Sequence, residues 1–140
     1  MFWNKAKRVG VLLLTLSLIS ISARAQSEYA LETVAEGLNF PWSIAFLPSG
    51  GYLVAMRSGE VRNISADGTI SEPITGLPES YVMSQGGYFD ITLDPEFASN
   101  QRIYLSFAHG TPEANGTRIV TGSLKGSAVT DVTPIFTVTP

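Results

Sequence analysis

The residues in this chain best suited to chemistry are few. Gln85 stands in the stretch Ser84-Gln85-Gly86-Gly87. Its carboxamide offers an acceptor and a donor pair, the set that a hydroxylated ligand such as a sugar would engage. Gly86 and Gly87 let the backbone turn sharply or come close to a ligand. An inter-strand turn with an exposed glutamine would read the same way, and paired glycines mark loops more often than sites. His109 is the single imidazole and hence the single candidate histidine base. It lies in a Gly/Pro/Asn-rich stretch near Glu113, with no acidic partner at a fixed offset to orient it. A solvated loop histidine is the simpler reading. Asp90, Asp94 and Glu96 form a small acidic cluster, with Asp90 and Asp94 evenly spaced on one strand face. Calcium takes about six to eight oxygens, and nothing here resembles an EF-hand loop. Asp94 before Pro95 is explained more simply as a turn cap.

Composition narrows the chemistry further. The chain of 140 residues has no cysteine and one histidine. Disulfides, thiolate zinc sites, thiol nucleophiles and multi-histidine cages are therefore excluded. No nucleophile elbow, phosphate-binding loop or dinucleotide fingerprint is present. Nine Lys and Arg stand against 12 Asp and Glu, net charge −3, which argues against nucleic acid as a partner.

Much of the positive charge sits in a leader. Lys5, Lys7 and Arg8 precede the apolar run VGVLLLTLSLISI at residues 9–21, and Ala23-Arg24-Ala25 follows. Basic, apolar, small-x-small is the order of a secretory signal peptide. The run is shorter than the roughly 20 residues of a membrane span. Residues 1–25 are thus expected to be cleaved after Ala25, and no stable membrane span is expected. Four of the nine basic residues leave with the leader, so five face 12 acidic ones and the net charge becomes −7. The remaining residues 26–140 amount to one domain at most, bound for the periplasm or the exterior.

The elements that must position Gln85 read as short strands. No segment after residue 26 sustains apolar spacing at helical period, whereas β-rich runs alternate with Gly, Pro, Asn and Asp. Residues 43–47, 52–56 and 60–64 read as strands, with Asp67-Gly68 as a hairpin turn and 69–75 as a last short strand. The pattern then restarts with strands at 89–93, 102–108, 117–124 and 129–138, and a polar loop over 109–116. Trp42 is expected in the core because an apolar strand follows it. Ile44 to Pro48 parallels Ile91 to Pro95 at an offset of 47, and Leu53 parallels Tyr104 at 51. A period near 50 with four strands each points to β-propeller blades, ahead of a plain β-sandwich. The fold class is therefore all-β, about two four-stranded blades. A propeller closes with about four to eight blades. Two blades leave apolar faces to stack on neighbours, so the chain is expected to be part of a longer protein or to assemble with copies of itself.

The words of the sequence carry a resemblance. Leu38-Asn39-Phe40-Pro41-Trp42-Ser43-Ile44-Ala45-Phe46-Leu47-Pro48-Ser49-Gly50-Gly51 resembles the opening blade of the soluble quinoprotein glucose/sorbosone dehydrogenases, the aldose sugar dehydrogenases that use pyrroloquinoline quinone (PQQ). That family's next landmark is G-Q-G-G, a strand, D-P-x-F and a Y-L-S-Y-type strand. Here it stands as Ser84-Gln85-Gly86-Gly87, then Asp94-Pro95-Glu96-Phe97, Asn100, and Ile103-Tyr104-Leu105-Ser106-Phe107. The resemblance spans about residues 31–140. It implies a six-bladed propeller, an aldose sugar as substrate, an external electron acceptor, and PQQ with calcium as cofactors. It also implies a histidine base that takes the sugar's anomeric hydroxyl proton while hydride passes to the quinone. Gln85, with Gly86 and Gly87, inherits a substrate- or quinone-side role. The family's base lies in an H-x-x-G-R-L or H-x-G-G-R-L stretch that follows a segment like residues 132–140. His109 does not match it, so no catalytic residue is assigned in this chain and none is assigned to metal. Most cofactor ligands are expected beyond residue 140, and the chain alone is expected to be inactive. The rival readings are a non-catalytic propeller-type module that binds carbohydrate or another ligand, and a small β-domain that self-assembles.

Overall fold

A computed structural model describes residues 29–138, and the leader at 1–25 lies outside them. Residues 33–138 form one compact unit. Its first sheet is antiparallel, in the order β1 (Pro41–Phe46), β2 (Tyr52–Met56) and β3 (Glu60–Ile64). Its second sheet runs β4 (Tyr88–Leu93), β5 (Arg102–Gly110), β6 (Asn115–Lys125) and β7 (Ala128–Thr137), also antiparallel. The helical turn α1 (Phe97–Asn100) joins β4 to β5. The expected all-β character holds, with this one turn as the addition.

Why these residues form strands follows from alternation and turn chemistry. Leu53, Ala55 and Val61 point to one face of the first sheet and are fully buried. That face packs on Tyr88, Ile91, Leu105 and Phe107 of the second sheet in a single core. Tyr88 and Phe107 meet edge to face, with ring centroids 5.9 Å apart. Ser43 closes the junction, its hydroxyl accepting the Ile91 amide at 3.0 Å on the free edge of β4. The opposite face of the first sheet carries Val54, Met56 and Ile64, covered by Ala35, Leu38 and Ile70.

The internal repeat is a repeat of register. Ile44 pairs with Val54 and Ala45 with Leu53 in the first sheet. At the same offsets, Ile91 pairs with Leu105 and Thr92 with Tyr104 in the second. The two sheets therefore present equivalent faces in the same sense. The Ala45 face of the first sheet meets the Ile91 face of the second. What remains open is the β1 edge of the Ile44 face, where Ile44 and Phe46 are exposed, and the Thr92 face of the second sheet.

Three expectations need correction. Residues 69–75 are no strand, so the first sheet has three strands and not four. The segment does follow β3: Ser71 and Ile74 donate their amides to Asn63 and Val61 carbonyls, and the Ser71 hydroxyl accepts the Asn63 amide. Pro73 has no amide to give, and only the bridge at Ile70 and one between Thr75 and Ala128 of β7 form. The polar loop shrinks to residues 111–114, because β5 runs on through His109 to Gly110. Four residues of loop between two paired strands suffice for the reversal. Trp42 is not core but 51% exposed, with Ile44 at 50% and Phe46 at 70% on the same face of β1.

Candidate functional site

One rim of the unit collects the residues of interest. β1 begins there after Phe40, β2 ends and β3 begins around Arg57, Ser58 and Gly59, and β4 begins after Gly87. β5 ends beside it, since Ala108 donates its amide to the Gly87 carbonyl at 2.9 Å. The Ala108 carbonyl in turn accepts the Tyr81 amide at 2.8 Å. The loop before β4 is thus held between the β2–β3 turn of one sheet and the end of β5 in the other.

Gln85 occupies a tight turn on this loop, closed by the Gly86 amide donating to the Met83 carbonyl at 2.7 Å. Its side chain is exposed. Gly86 and Gly87 serve close packing of main chain. A Cβ on Gly86 would lie 2.6 Å from the Tyr81 carbonyl oxygen, and one on Gly87, at φ +138, would lie 1.9 Å from that of Arg57. A side chain at Gly87 would force the loop off the β2–β3 turn, and one at Gly86 would open the loop's own turn. Gln85 alone of the three presents a side chain, and its carboxamide forms no hydrogen bond among the described residues.

Arg57 is the residue that sequence reading missed. Its guanidinium Nη1 donates to the Ser84 carbonyl at 2.6 Å, and its Cζ lies 4.4 Å from the centroid of the Phe40 ring. Its own amide donates to the Phe40 carbonyl at 3.0 Å. A charge-assisted bond of this kind contributes about 1.5–3 kcal/mol, and a cation over an exposed ring about 0.5–1 kcal/mol. No spacing signal marks Arg57, because its partners are 17 residues upstream and 27 downstream. Nearby, Ser80 fills the space above Gly59, and the hydroxyls of Ser58 and Ser80 are buried with no partner among the described residues.

The other candidates separate from this cluster. His109 is half-buried in β5 opposite Gly116, one residue beyond the Ala108 that bonds Gly87. No carboxylate orients it among the described residues. Asp94 is a structural cap at the far end of the strands. Its Oδ1 accepts from the Asn100 amide and the Glu96 N–H, each at 2.9 Å, and its Oδ2 from the Tyr104 hydroxyl at 2.8 Å. These three donors, the Asn100 amide first, hold its carboxyl below the usual carboxylate range. Asp90 is exposed beside Thr92. Among the described residues no group of three or more His, Cys, Asp or Glu could hold a metal ion. A cleft of about 260 Å³ opens elsewhere, lined by Asn39, Met56, Glu60, Arg62 and Glu72. Its one cation is already engaged, Arg62 pairing with Glu60 at 3.2 Å and bonding the Ser71 carbonyl.

Comparison with known proteins finds relatives for this chain. The family model described as glucose/sorbosone dehydrogenase matches residues 38–140. An aldose sugar dehydrogenase of Escherichia coli, YliI, is 37% identical over 110 residues, which make up 76% of this chain and 30% of that protein. Two solved structures align with a similar share. The soluble aldose sugar dehydrogenase of Escherichia coli in its apo form gives a TM-score of 0.71 at 38% identity, over 75% of this chain and 31% of that one. The PQQ-bound aldose sugar dehydrogenase of Streptomyces coelicolor gives 0.69 at 29% identity, over 77% and 33%. The chain spans about a third of the length of these relatives.

Proposed function

Because this chain belongs to the glucose/sorbosone dehydrogenase family, we propose that it forms the opening third of a PQQ-dependent enzyme that oxidises aldose sugars and passes electrons to an external acceptor. The observation that carries this reading is the coincidence of the family match with the rim that presents Gln85. In this reading the two sheets are the first two blades of a six-bladed propeller. The stacking sense supports it, since the same face of each sheet meets the opposite face of the next. Contacts repeated head to tail in this way close into a ring when the rotation allows.

The residues present fit the cofactor in part. An exposed carboxamide with no partner among the described residues suits an oxygen-rich ligand such as a quinone or a sugar hydroxyl. PQQ, when bound, supplies the electrophilic carbonyl that takes up hydride from the sugar. Gln85 orients the sugar or the quinone by hydrogen bonding on the substrate side. Gly86 lets the turn close on the Tyr81 and Met83 carbonyls, and Gly87 keeps it seated on the Arg57 main chain. The described residues offer no carboxylate cage, so calcium and the general base are assigned to residues outside 29–138. The leader at 1–25 supports export to the periplasm or the exterior, and residues 26–140 alone are expected to be inactive.

The test is dye-linked aldose oxidation by the complete gene product, loaded with PQQ and calcium. Activity is expected, and Gln85→Ala is expected to lower kcat/KM about tenfold, the loss of one hydrogen bond. Absence of PQQ-dependent oxidation across aldoses overturns the reading.

A further inference from the structure

Two non-glycine residues of the rim sit in the left-handed region, Phe40 at φ +54 and Ser84 at φ +53. Such a conformation is costly and persists where surroundings enforce it. Both are held by the same side chain. The Arg57 guanidinium lies over the Phe40 ring and donates to the Ser84 carbonyl, the residue immediately before Gln85. Its main chain holds Phe40 from below and leaves no room for a Cβ on Gly87. Residues from the entry to β1, the end of β2 and the loop before β4 are thereby fastened at one point. We propose that Arg57 is a positioning residue: clamped on Phe40, it fixes the Ser84 carbonyl and so aims the Gln85 side chain at the ligand.

This inference rests on the role proposed for Gln85, and the experiment separates the two. Arg57→Met keeps the aliphatic stem and removes the donor and the charge. In the complete gene product without cofactor, hydrogen exchange of the segment 81–87 is expected to quicken at least about tenfold, while β5 and β6 stay protected. Arg57→Lys, which restores charge and a donor, is expected to recover most of that protection. With PQQ and calcium loaded, Arg57→Met is expected to cost about tenfold or more in kcat/KM. In a Gln85→Ala background the same change is expected to cost less than about threefold, because a residue that acts through another loses its effect when that other is gone.

Unchanged exchange in 81–87 overturns the clamp. An equal loss of kcat/KM in both backgrounds overturns positioning and makes Arg57 a direct ligand contact. A loosened turn with Gln85→Ala harmless keeps the clamp and removes the role of Gln85. Should Arg57→Met fail to fold, Phe40→Leu removes only the ring under the guanidinium and is expected to loosen the same segment. Intact protection in that variant overturns the clamp as well.

Discussion

Tyr88 shows what burial does to a single group at the base of the loop. Its ring is packed on Phe107, and its hydroxyl donates to the Pro78 carbonyl at 2.6 Å. Burial pushes its pKa up to about 12. The folded chain thus favours the neutral phenol more than the unfolded chain does, where the value is near 10. The stability this contributes is intact below about pH 10 and is lost as pH rises towards 12, since the unfolded phenol ionises first. Absorbance of tyrosinate against pH is expected to show one group titrating at about pH 12, missing in Tyr88→Phe. Tyrosines that all ionise near pH 10 would overturn this. The same scale holds Gln85 and Arg57, two neighbours with different duties: one presents a carboxamide unbonded among the described residues, the other donates a guanidinium N–H to main chain.

Elements owe their ends to a handful of side chains. α1 has four residues, too few for an apolar stripe; its N-cap Glu96 makes no side-chain cap bond, and it depends on the bonds gathered by Asp94 just before it. Asp94 gathers Glu96, Asn100 and Tyr104, while the Asn100 side chain accepts the Arg102 amide and starts β5. Phe97 is buried and pins the turn to the core. Asp94→Asn is expected to lower the melting temperature at neutral pH. The deficit should shrink below about pH 4, because the lowered carboxyl pKa makes the native stabilisation fade as that group protonates. Thermal melts of both proteins at pH 7 and pH 3 check this, and equal melting at pH 7 would remove the cap from the account. Residues 69–75 teach the converse. Their β-rich composition promises a strand, yet Pro73 and the Ser71 hydroxyl leave only a trailing edge bonded to β3.

At the scale of the molecule, the open faces matter most. Trp42, Ile44 and Phe46 form an exposed apolar stripe on β1, and the equivalent face of the second sheet is covered by the first. Ile44 is half exposed where Ile91, its repeat partner, is buried at 2%. An unpaired apolar face of this kind promotes association. Purified residues 26–140 are therefore expected to self-associate at micromolar concentration. The double change Trp42→Ser with Phe46→Ser is expected to shift them towards monomer, read by analytical ultracentrifugation. A monomeric parent fragment would sink this reading of the stripe.

Much of this protein is legible without coordinates. Alternation and turn residues located β2 and β3 to the residue, because a strand's period and its punctuating glycines are local properties. The repeat at 47 and 51 corresponds to matched registers in the two sheets, since a shared pairing needs shared spacing. The words around Gln85 carried the family. Tertiary structure decided what no window of sequence contains. It exposed Trp42, whose apolar surroundings in sequence promised burial, because the neighbouring sheet lies on the other face of β1. It drew His109 into β5, because pairing with Gly116 outweighs loop-like composition. It also joined Phe40, Arg57 and Ser84, residues far apart along the chain, because strand ends from two sheets meet at one rim. Local spacing determines elements, and only the stacking of one sheet on another determines which side chains those elements bring face to face.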